Sequence, residues 1–203
     1  MLSRLVPHKQ IEDALAAVAA LRFRVPGLHL DIIGGGWWEE NLRERVEQLG
    51  IASAVTFHGH VDEVREHQLL GQSWVHVMPS RKEGWGLAVV EAAQHGVPTV
   101  GYRSSKGLTD SIIDGVTGVL VGSDGADRDV TALTDALAEL LLDDDMRADL
   151  GEKARVRALE FSWVQTARGV QSVLASSMRG SHVSGLVSAG LPGADRPAEA
   201  AHQ

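Results

Sequence analysis

Two glutamates flank a glycine-rich turn in the middle of the chain and are its first candidates for chemistry. Glu83 precedes Gly84-Trp85-Gly86-Leu87, and Glu91 lies in the predicted helix that follows. A carboxylate can accept hydrogen bonds from neighbouring hydroxyl groups of a ribose or a sugar. The unpaired N–H groups at a helix start, beside flexible glycines, form an anion site. The stretch therefore predicts a site for a phosphate-bearing ligand rich in hydroxyl groups.

The position of Glu91 suggests which part of such a ligand it contacts. At a rise of ~1.5 Å per residue, Glu91 lies roughly 6–7 Å along the helix from the phosphate site, an offset that suits the ribose of a nucleotide. Glu83 is then left to face hydroxyl groups beyond the phosphates. The alternative is that Glu91 is an interior helix residue paired within the fold.

The elements around this stretch alternate between strands and helices. Apolar runs predict strands, and apolar residues at helical spacing predict the helices between them. The predicted strands are residues 2–6, 28–33, 55–59, 74–78, 98–102 and 118–121, and the helices before the central one are about 10–24, 39–49 and 62–70. This order predicts an α/β fold, a Rossmann-like parallel sheet sandwiched by helices, with ligands at the carboxyl ends of the strands.

Basic residues lie at the end of, or just after, three of the predicted strands. They are Arg4, His8 and Lys9, then Arg81 and Lys82, then Arg103 and Lys106. Loops often carry charges for solubility alone, but the shared position of these clusters favours a binding role. Beyond Asp129 the pattern is helical, and Ser162 is a predicted helix N-cap. We predict one domain over residues 1–178 and a disordered tail over residues 179–203.

Composition excludes several classes of protein. The chain has 203 residues, no cysteine and a formal charge of −8. Without cysteine there is no disulfide framework and no thiolate site, and an acidic chain disfavours a nucleic-acid partner. No apolar run approaches the roughly 20 residues that cross a bilayer, and no signal peptide is recognisable. We therefore expect a soluble cytoplasmic protein.

Other motifs in the sequence do not match the functional sites that they partly resemble. Gly34-Gly35-Gly36 follows a predicted strand, but Glu39 stands where a dinucleotide fingerprint needs glycine, so the turn serves either close approach of a ligand or the fold alone. Asp143-Asp144-Asp145 is better explained as a solvated linker between helices, with an acidic helix start, than as a metal site. His58 and His60 indicate no metal site, and the turn at Gly84 lacks the serine of a hydrolase elbow.

Taken together, the chain resembles the retaining, nucleotide-sugar-dependent glycosyltransferases of family 4, which have the GT-B architecture of two Rossmann-like domains. The resemblance runs in order from about Ser3 to Leu174. The matching segments are residues 4–9, the turn ending at Gly36, 55–61, 79–80, 83–92, 96–100, 114–118 and 161–163.

The resemblance implies a role for each site residue. Arg4 and Lys9 would bind the donor diphosphate, and the backbone of residues 84–87 would cap it. Glu91 would hold the ribose, and Glu83 would hold the donor sugar as the catalytic residue. The loop at His60 and Val61 would lie near the base, with Gly36 ending the neighbouring turn. Two cations and a helix end would stabilise the leaving diphosphate, so neither a metal nor another cofactor is expected.

The resemblance covers the donor-binding half of the family's architecture. Ser3 and Gly107-Leu108-Thr109-Asp110 depart from the usual pattern, and the N-terminal domain that binds the acceptor has no counterpart. The expected activity is transfer of a hexose from a UDP- or GDP-sugar, with retention, to a glycan or lipid acceptor. It would require that missing domain, which is also the part expected at the inner membrane face. The alternative is a non-catalytic nucleotide-sugar-binding or regulatory module.

Overall fold

The computed structural model describes residues 1–123, 129–161 and 163–180, in two compact units divided after Ser162. The described part of the second unit is one helix, Trp163–Gly180. This helix extends past the predicted start of the disordered tail at residue 179. Ser162, the predicted N-cap, and the remainder of the tail lie outside the described residues. The candidate site lies within the first unit.

The strands of the first unit form two parallel sheets. In one, β1 (Leu30–Ile33) pairs with β2 (Val55–Gly59). In the other, β4 (Thr99–Tyr102) lies between β3 (His76–Met78) and β5 (Gly118–Val121). Every named pair is parallel, as the α/β prediction requires. The prediction is confirmed for the fold class, but the strands divide into two sheets.

The N-terminal segment lies where the two sheets approach each other. The predicted strand over residues 2–6 is wrong, since the segment forms only an isolated parallel bridge between Leu2 and Ile33. The segment remains extended, because Ser3 N donates to Ile33 O at 3.0 Å and Leu5 N to Gly35 O at 3.0 Å. These backbone bonds continue past the end of β1 into the glycine turn, so a regular ladder does not develop.

A buried histidine connects this segment to the second sheet. His76 Nε2 accepts a hydrogen bond from Leu2 N at 3.3 Å, and its Nδ1 lies 3.1 Å from Thr99 Oγ1. Burial lowers the pKa of His76 to about 3, so the ring is neutral at physiological pH. With Nε2 accepting, Nδ1 carries the proton and donates to Thr99. His76 therefore holds the N-terminal segment, β3 and β4 in register.

Helices follow the strands and cover both sheets. In chain order the helices of the first unit are α1 (Ile11–Leu21), α2 (Glu39–Leu49), α3 (Glu63–Gln72), α4 (Leu87–Gln94), α5 (Leu108–Ser111), α6 (Val130–Leu142) and α7 (Asp144–Ala158). The helix of the second unit, Trp163–Gly180, is α8. Helix α2 has the predicted limits, and Gly50 ends it in the left-handed conformation at φ 62°. Helix α1 is shorter than predicted at both ends.

The acidic run after α6 is a helix start, as predicted. Asp143 caps α7 by accepting a hydrogen bond from Met146 N at 2.8 Å, and Asp144 and Asp145 lie in the first turn. Carboxylates there interact favourably with the positive end of the helix dipole. The run therefore has a structural role.

Two groups of helices enclose the sheets. Helices α1 and α6 contact each other, and their apolar residues join the largest core cluster with those of β1 and β4. Helices α4 and α7 also contact each other, through Val90, Ala93, Ala154 and Ala158. Among the described helices, none combines the length and apolar content that a membrane span requires. The strands thus have a packed support on which the loops after them rest.

Candidate functional site

A cleft of about 700 Å³ opens where the loops after the strands converge. It brings together residues that are far apart in sequence, from the N-terminal segment to α4. The predicted site residues that line it are Arg4, Lys9, His60, Glu83, Gly84, Trp85, Gly86, Leu87 and Glu91. Gly36 and Val61 are not among the lining residues. Most of the predicted site residues therefore line one cleft.

The N-terminus of α4 borders this cleft. Gly86 precedes the helix in the left-handed conformation at φ 83°, and no side chain caps the first turn. A Cβ at Gly86 would also lie 3.0 Å from Leu108 Cδ2, so both conformation and space favour glycine. Leu87 and Ala88 line the cleft. The positive end of the α4 dipole and its unpaired N–H groups are thus available to an anion.

Trp85 anchors the turn that leads into α4. Its ring packs edge-on against Phe161, with centroids 4.7 Å apart, beside the apolar residues shared by α4 and α7. An aromatic pair in this geometry contributes about 0.5–1.5 kcal/mol beyond its buried area. The indole therefore fixes the loop, while the flanking glycines leave the backbone open to the cleft.

Glu83 and Lys9 form an ion pair at the cleft wall. Lys9 Nζ lies 2.5 Å from Glu83 Oε1, and the two side chains are 12% and 9% exposed. The backbone of Glu83 is fixed as well, since its N–H donates to Ser105 O at 3.2 Å. The resemblance to family 4 implied that Lys9 binds the diphosphate and that Glu83 binds the donor sugar. The structure places the charged groups of these two residues in contact.

The Glu83 loop rests on Gly107. A Cβ at Gly107 would lie 2.6 Å from the carbonyl oxygens of both Glu83 and Gly84. Backbone atoms cannot move aside as the end of a side chain can, so only glycine fits. Gly107 thus positions Glu83 without lining the main cleft.

Glu91 is half-buried and shares the cleft with a second glutamate. Burial raises the pKa of Glu91, the nearby Glu66 carboxylate raises it further, and His67 opposes the shift. Among the described residues, the Glu91 carboxylate has no hydrogen-bond partner. Glu66, in the first turn of α3, also lines the cleft and was not predicted. A surface position on a predicted helix gave no signal that α3 approaches α4.

Two histidines lie beside these carboxylates. His67 Nδ1 and His95 Nε2 are 2.8 Å apart, so one ring nitrogen donates to the other. Burial lowers the pKa of His95, and His67 lowers it further. Neither histidine lines the cleft. His67 therefore acts on the cleft through the pKa of Glu91, which it lowers.

Close packing explains why the turn after β1 consists of glycines. Added Cβ atoms at Gly34 and Gly36 would collide with the carbonyl oxygens of Ser3 and Leu5. At Gly35 a Cβ would lie 2.8 Å from His60 Nε2. The sequence left two explanations for this turn, close approach of a ligand and a role in the fold alone. The second applies to Gly34 and Gly36, because the N-terminal segment packs closely against them. Gly34 and Gly35 also line the cleft.

The electrostatics of the cleft suit a ligand with both phosphate and hydroxyl groups. Arg4 is exposed at the cleft and forms no ion pair with any described residue, while Lys9 is held by Glu83. Within residues 1–123, 129–161 and 163–180, no three His, Asp or Glu side chains cluster as metal ligands would. The charged side chains that line the cleft are two cations, Arg4 and Lys9, and three glutamates, and the N-terminus of α4 lies beside them.

Comparison with known proteins points to one family. The model of the family described as glycosyl transferases group 1 matches residues 1–157. A GDP-mannose-dependent α-(1-6)-phosphatidylinositol monomannoside mannosyltransferase of Mycolicibacterium smegmatis is 37% identical over 179 residues, which are 84% of this chain and 45% of that protein. The chain therefore spans less than half the length of this relative.

Solved structures agree on the fold. Sucrose-phosphate synthase from Thermosynechococcus elongatus is 26% identical with a TM-score of 0.76, over 88% of this chain and 45% of that one. The C-terminal domain of a glycosyl transferase group 1 family protein from Francisella tularensis is 20% identical with a TM-score of 0.67. That alignment covers 76% of this chain and 80% of the domain, so the fold corresponds to a C-terminal GT-B domain.

Proposed function

The chain belongs to the glycosyl transferases of group 1, and on that premise we propose that its cleft binds a nucleotide-diphosphate hexose as the donor half of a glycosyltransferase. The observation that carries the proposal is the convergence of Arg4, Lys9 and the N-terminus of α4 on one cleft. Cations and unpaired backbone N–H groups together are what a diphosphate requires.

In this proposal each end of the donor meets its own carboxylate. The diphosphate contacts Arg4, Lys9 and the backbone of residues 84–87. Glu91, without a hydrogen-bond partner among the described residues, accepts the two ribose hydroxyl groups. Glu83 lies beyond the diphosphate and accepts hydroxyl groups of the hexose. His60, packed over Gly35, borders the base, whereas Val61 and Gly36 lie outside the cleft lining.

The proposed reaction is glycosyl transfer with retention of configuration. The bond between the anomeric carbon and the β-phosphate oxygen breaks, and a bond to the acceptor hydroxyl oxygen forms on the same face. The acceptor proton passes to the departing phosphate oxygen. Arg4, Lys9 and the helix terminus stabilise the charge that develops on the diphosphate, so the proposal includes no metal. Transfer also requires an acceptor-binding domain, with a glycan or lipid as acceptor.

Calorimetric titration of this chain tests donor binding. GDP, UDP, GDP-mannose and UDP-glucose are titrated with and without EDTA. GDP-mannose is the first donor to test, because the relative from M. smegmatis is named as dependent on it. We expect saturable binding of at least one nucleotide, unchanged by EDTA and lost in Glu91→Ala. If none of the four binds, the proposal is wrong.

A separate assay distinguishes the enzyme from a non-catalytic binding module. The donor that binds best is incubated with a chain that includes an acceptor-binding domain, and release of the nucleoside diphosphate is measured. Turnover that is lost in Glu83→Gln supports the enzyme. Binding without turnover supports the module, and an inverted product anomer would overturn retention.

A further inference from the structure

A second cleft, of about 780 Å³, lies on the other side of the Glu83 loop. It is lined by His8, the loop of residues 81–84, and residues 104–110 apart from Leu108. Glu83 and Gly84 line both clefts and form their common wall. A group bound in the second cleft would therefore lie next to the proposed position of the donor sugar.

The second cleft is basic although the chain is acidic. Arg81, Lys82 and Lys106 line it, and none of them forms an ion pair with a described residue. Two carboxylates oppose them. Glu83 is neutralised by Lys9, so Asp110 is the one carboxylate that offsets three cations. In a chain of formal charge −8, this local excess of positive charge is a specific feature.

A buried hydroxyl group in this cleft lacks a partner. Ser105 is 1% exposed and lines the cleft, yet its Oγ has no hydrogen-bond partner among the described residues. The Ser105 backbone is not free, because its carbonyl oxygen accepts from Glu83 N at 3.2 Å and Gly107 N at 2.7 Å. A buried hydroxyl without a partner is costly, and an anion oxygen bound there would satisfy it.

One residue that lines the second cleft has a strained backbone conformation. Lys106 has φ 58° and ψ −67°, close to the γ-turn conformation that non-glycine residues rarely adopt. Its carbonyl oxygen accepts from Thr109 N at 2.9 Å and Thr109 Oγ1 at 2.6 Å, which keeps the turn in place. Across the cleft, Arg81 N donates to His8 O at 2.8 Å. Backbone strain of this kind concentrates at ligand-binding sites.

We propose that this second cleft binds the phosphate group of an anionic acceptor, through Arg81, Lys82, Lys106 and Ser105. The proposal rests on the proposed glycosyltransferase function and adds the chemical class of the acceptor. With the phosphate in this cleft, an acceptor hydroxyl reaches the donor sugar over the Glu83–Gly84 wall. A soluble phosphate ester and a phospholipid headgroup supply the same chemistry.

The test compares two triple variants of the full chain. Arg81→Gln, Lys82→Gln and Lys106→Gln together remove the basic lining. Arg24→Gln, Arg45→Gln and Arg65→Gln remove three exposed cations that line neither cleft and serve as the charge-matched control. Glycerol 3-phosphate is titrated by calorimetry, and sedimentation is measured with vesicles of phosphatidylcholine containing phosphatidylinositol. GDP or UDP binding by each variant reports the donor site separately.

We expect the first triple variant to lose about tenfold in affinity for a phosphate probe, with nucleotide binding retained. The control should bind both as the original chain does. Binding of glycerol 3-phosphate indicates a soluble acceptor, and binding of the vesicles alone indicates a lipid headgroup. Equal losses of affinity in the two triple variants would mean that overall charge alone causes the effect, and would overturn the proposal. Tighter binding of a single-stranded oligonucleotide than of either phosphate probe would also overturn it.

Discussion

Lys9 Nζ lies 2.5 Å from Glu83 Oε1, although one residue follows the N-terminal segment and the other follows β3. The pair lies where the diphosphate and the hexose of the proposed donor meet. In the proposed complex, Lys9 contacts the diphosphate and Glu83 contacts the hexose. Each side chain is mostly buried, so the loss of one leaves the other without its partner in a poorly solvated place.

The ion pair predicts different outcomes for its two members. Lys9→Ala should weaken binding of both nucleoside diphosphate and nucleotide sugar, and should destabilise the fold by about 1–3 kcal/mol, because it leaves Glu83 unpaired. Glu83→Gln should retain nucleoside diphosphate binding, since Lys9 is then released toward the phosphates, while the added affinity that the hexose provides should fall. Calorimetry with both ligands measures this, with the exposed Glu40→Gln as control. Parallel losses of both ligands in Glu83→Gln would contradict the assignment of Glu83 to the sugar.

Arg4 should contribute through long-range charge. It is exposed at the cleft and has no ion-pair partner among the described residues, so salt screens its attraction for a diphosphate. Arg4→Ala should therefore weaken nucleotide binding most at low salt and reduce the salt dependence of the affinity. Titrations at several salt concentrations measure both effects, with Arg24→Ala as control. A variant with the original salt dependence would remove Arg4 from the site.

Glu91 should make nucleotide binding depend on pH. Burial and the neighbouring Glu66 raise its pKa, and in the proposed complex the carboxylate form is the stronger acceptor for the two ribose hydroxyl groups. Binding should weaken as pH falls through this raised pKa. Glu66→Gln removes the second cause and should shift the loss of binding to lower pH. Affinity measured across the acid range gives the profile, and identical profiles in the two proteins would contradict the coupling.

The same shift has a consequence for stability. A glutamate whose pKa is raised by folding is stabilising below its unfolded pKa, and that contribution is lost as pH rises through the folded pKa. The charged form of Glu91 therefore costs stability at neutral pH. Glu91→Gln should raise the melting temperature at neutral pH and leave it unchanged in acid, while nucleotide binding falls. A lower melting temperature at neutral pH would instead identify Glu91 as a structural residue.

Gly107 should be necessary for the position of Glu83. A Cβ there would lie 2.6 Å from two backbone carbonyl oxygens of the Glu83 loop. Gly107→Ala should displace this loop, lower the melting temperature and weaken binding of the nucleotide sugar more than that of the nucleoside diphosphate. Gly84→Ala is the stability control, because its Cβ would meet nothing within 4 Å. Equal melting temperatures for the two variants would mean that the loop adapts.

The sequence predicted the elements whose signals are local. Helix α2 and strand β2 have the predicted limits, because apolar spacing and a terminal glycine define each of them. The turn before α4 was also predicted, since Gly86 is followed directly by apolar residues at helical spacing. Such signals depend on neighbouring residues in the chain and survive without tertiary information.

The contacts that complete the site depend on residues far apart in the chain. Neither the approach of Glu66 to Glu91 nor the Lys9–Glu83 pair follows from spacing, because each joins two separate loops or helices. The need for glycine at position 107 also depends on distant residues, since the atoms next to it lie in another loop. The N-terminal segment was predicted as a strand, but its bonds continue into a glycine turn that interrupts the ladder.

The attachment of the N-terminal segment to β1 also bears on self-association. Ser3 and Leu5 use their N–H groups on Ile33 and Gly35, and the carbonyl oxygen of Met1 accepts from Ile33 N at 2.9 Å. Without these residues, the inner edge of β1 would be left with unpaired backbone groups. Exposed strand edges recruit strands from other molecules. The first five residues therefore cover this edge of β1, and a variant without them would expose it to pairing with other molecules.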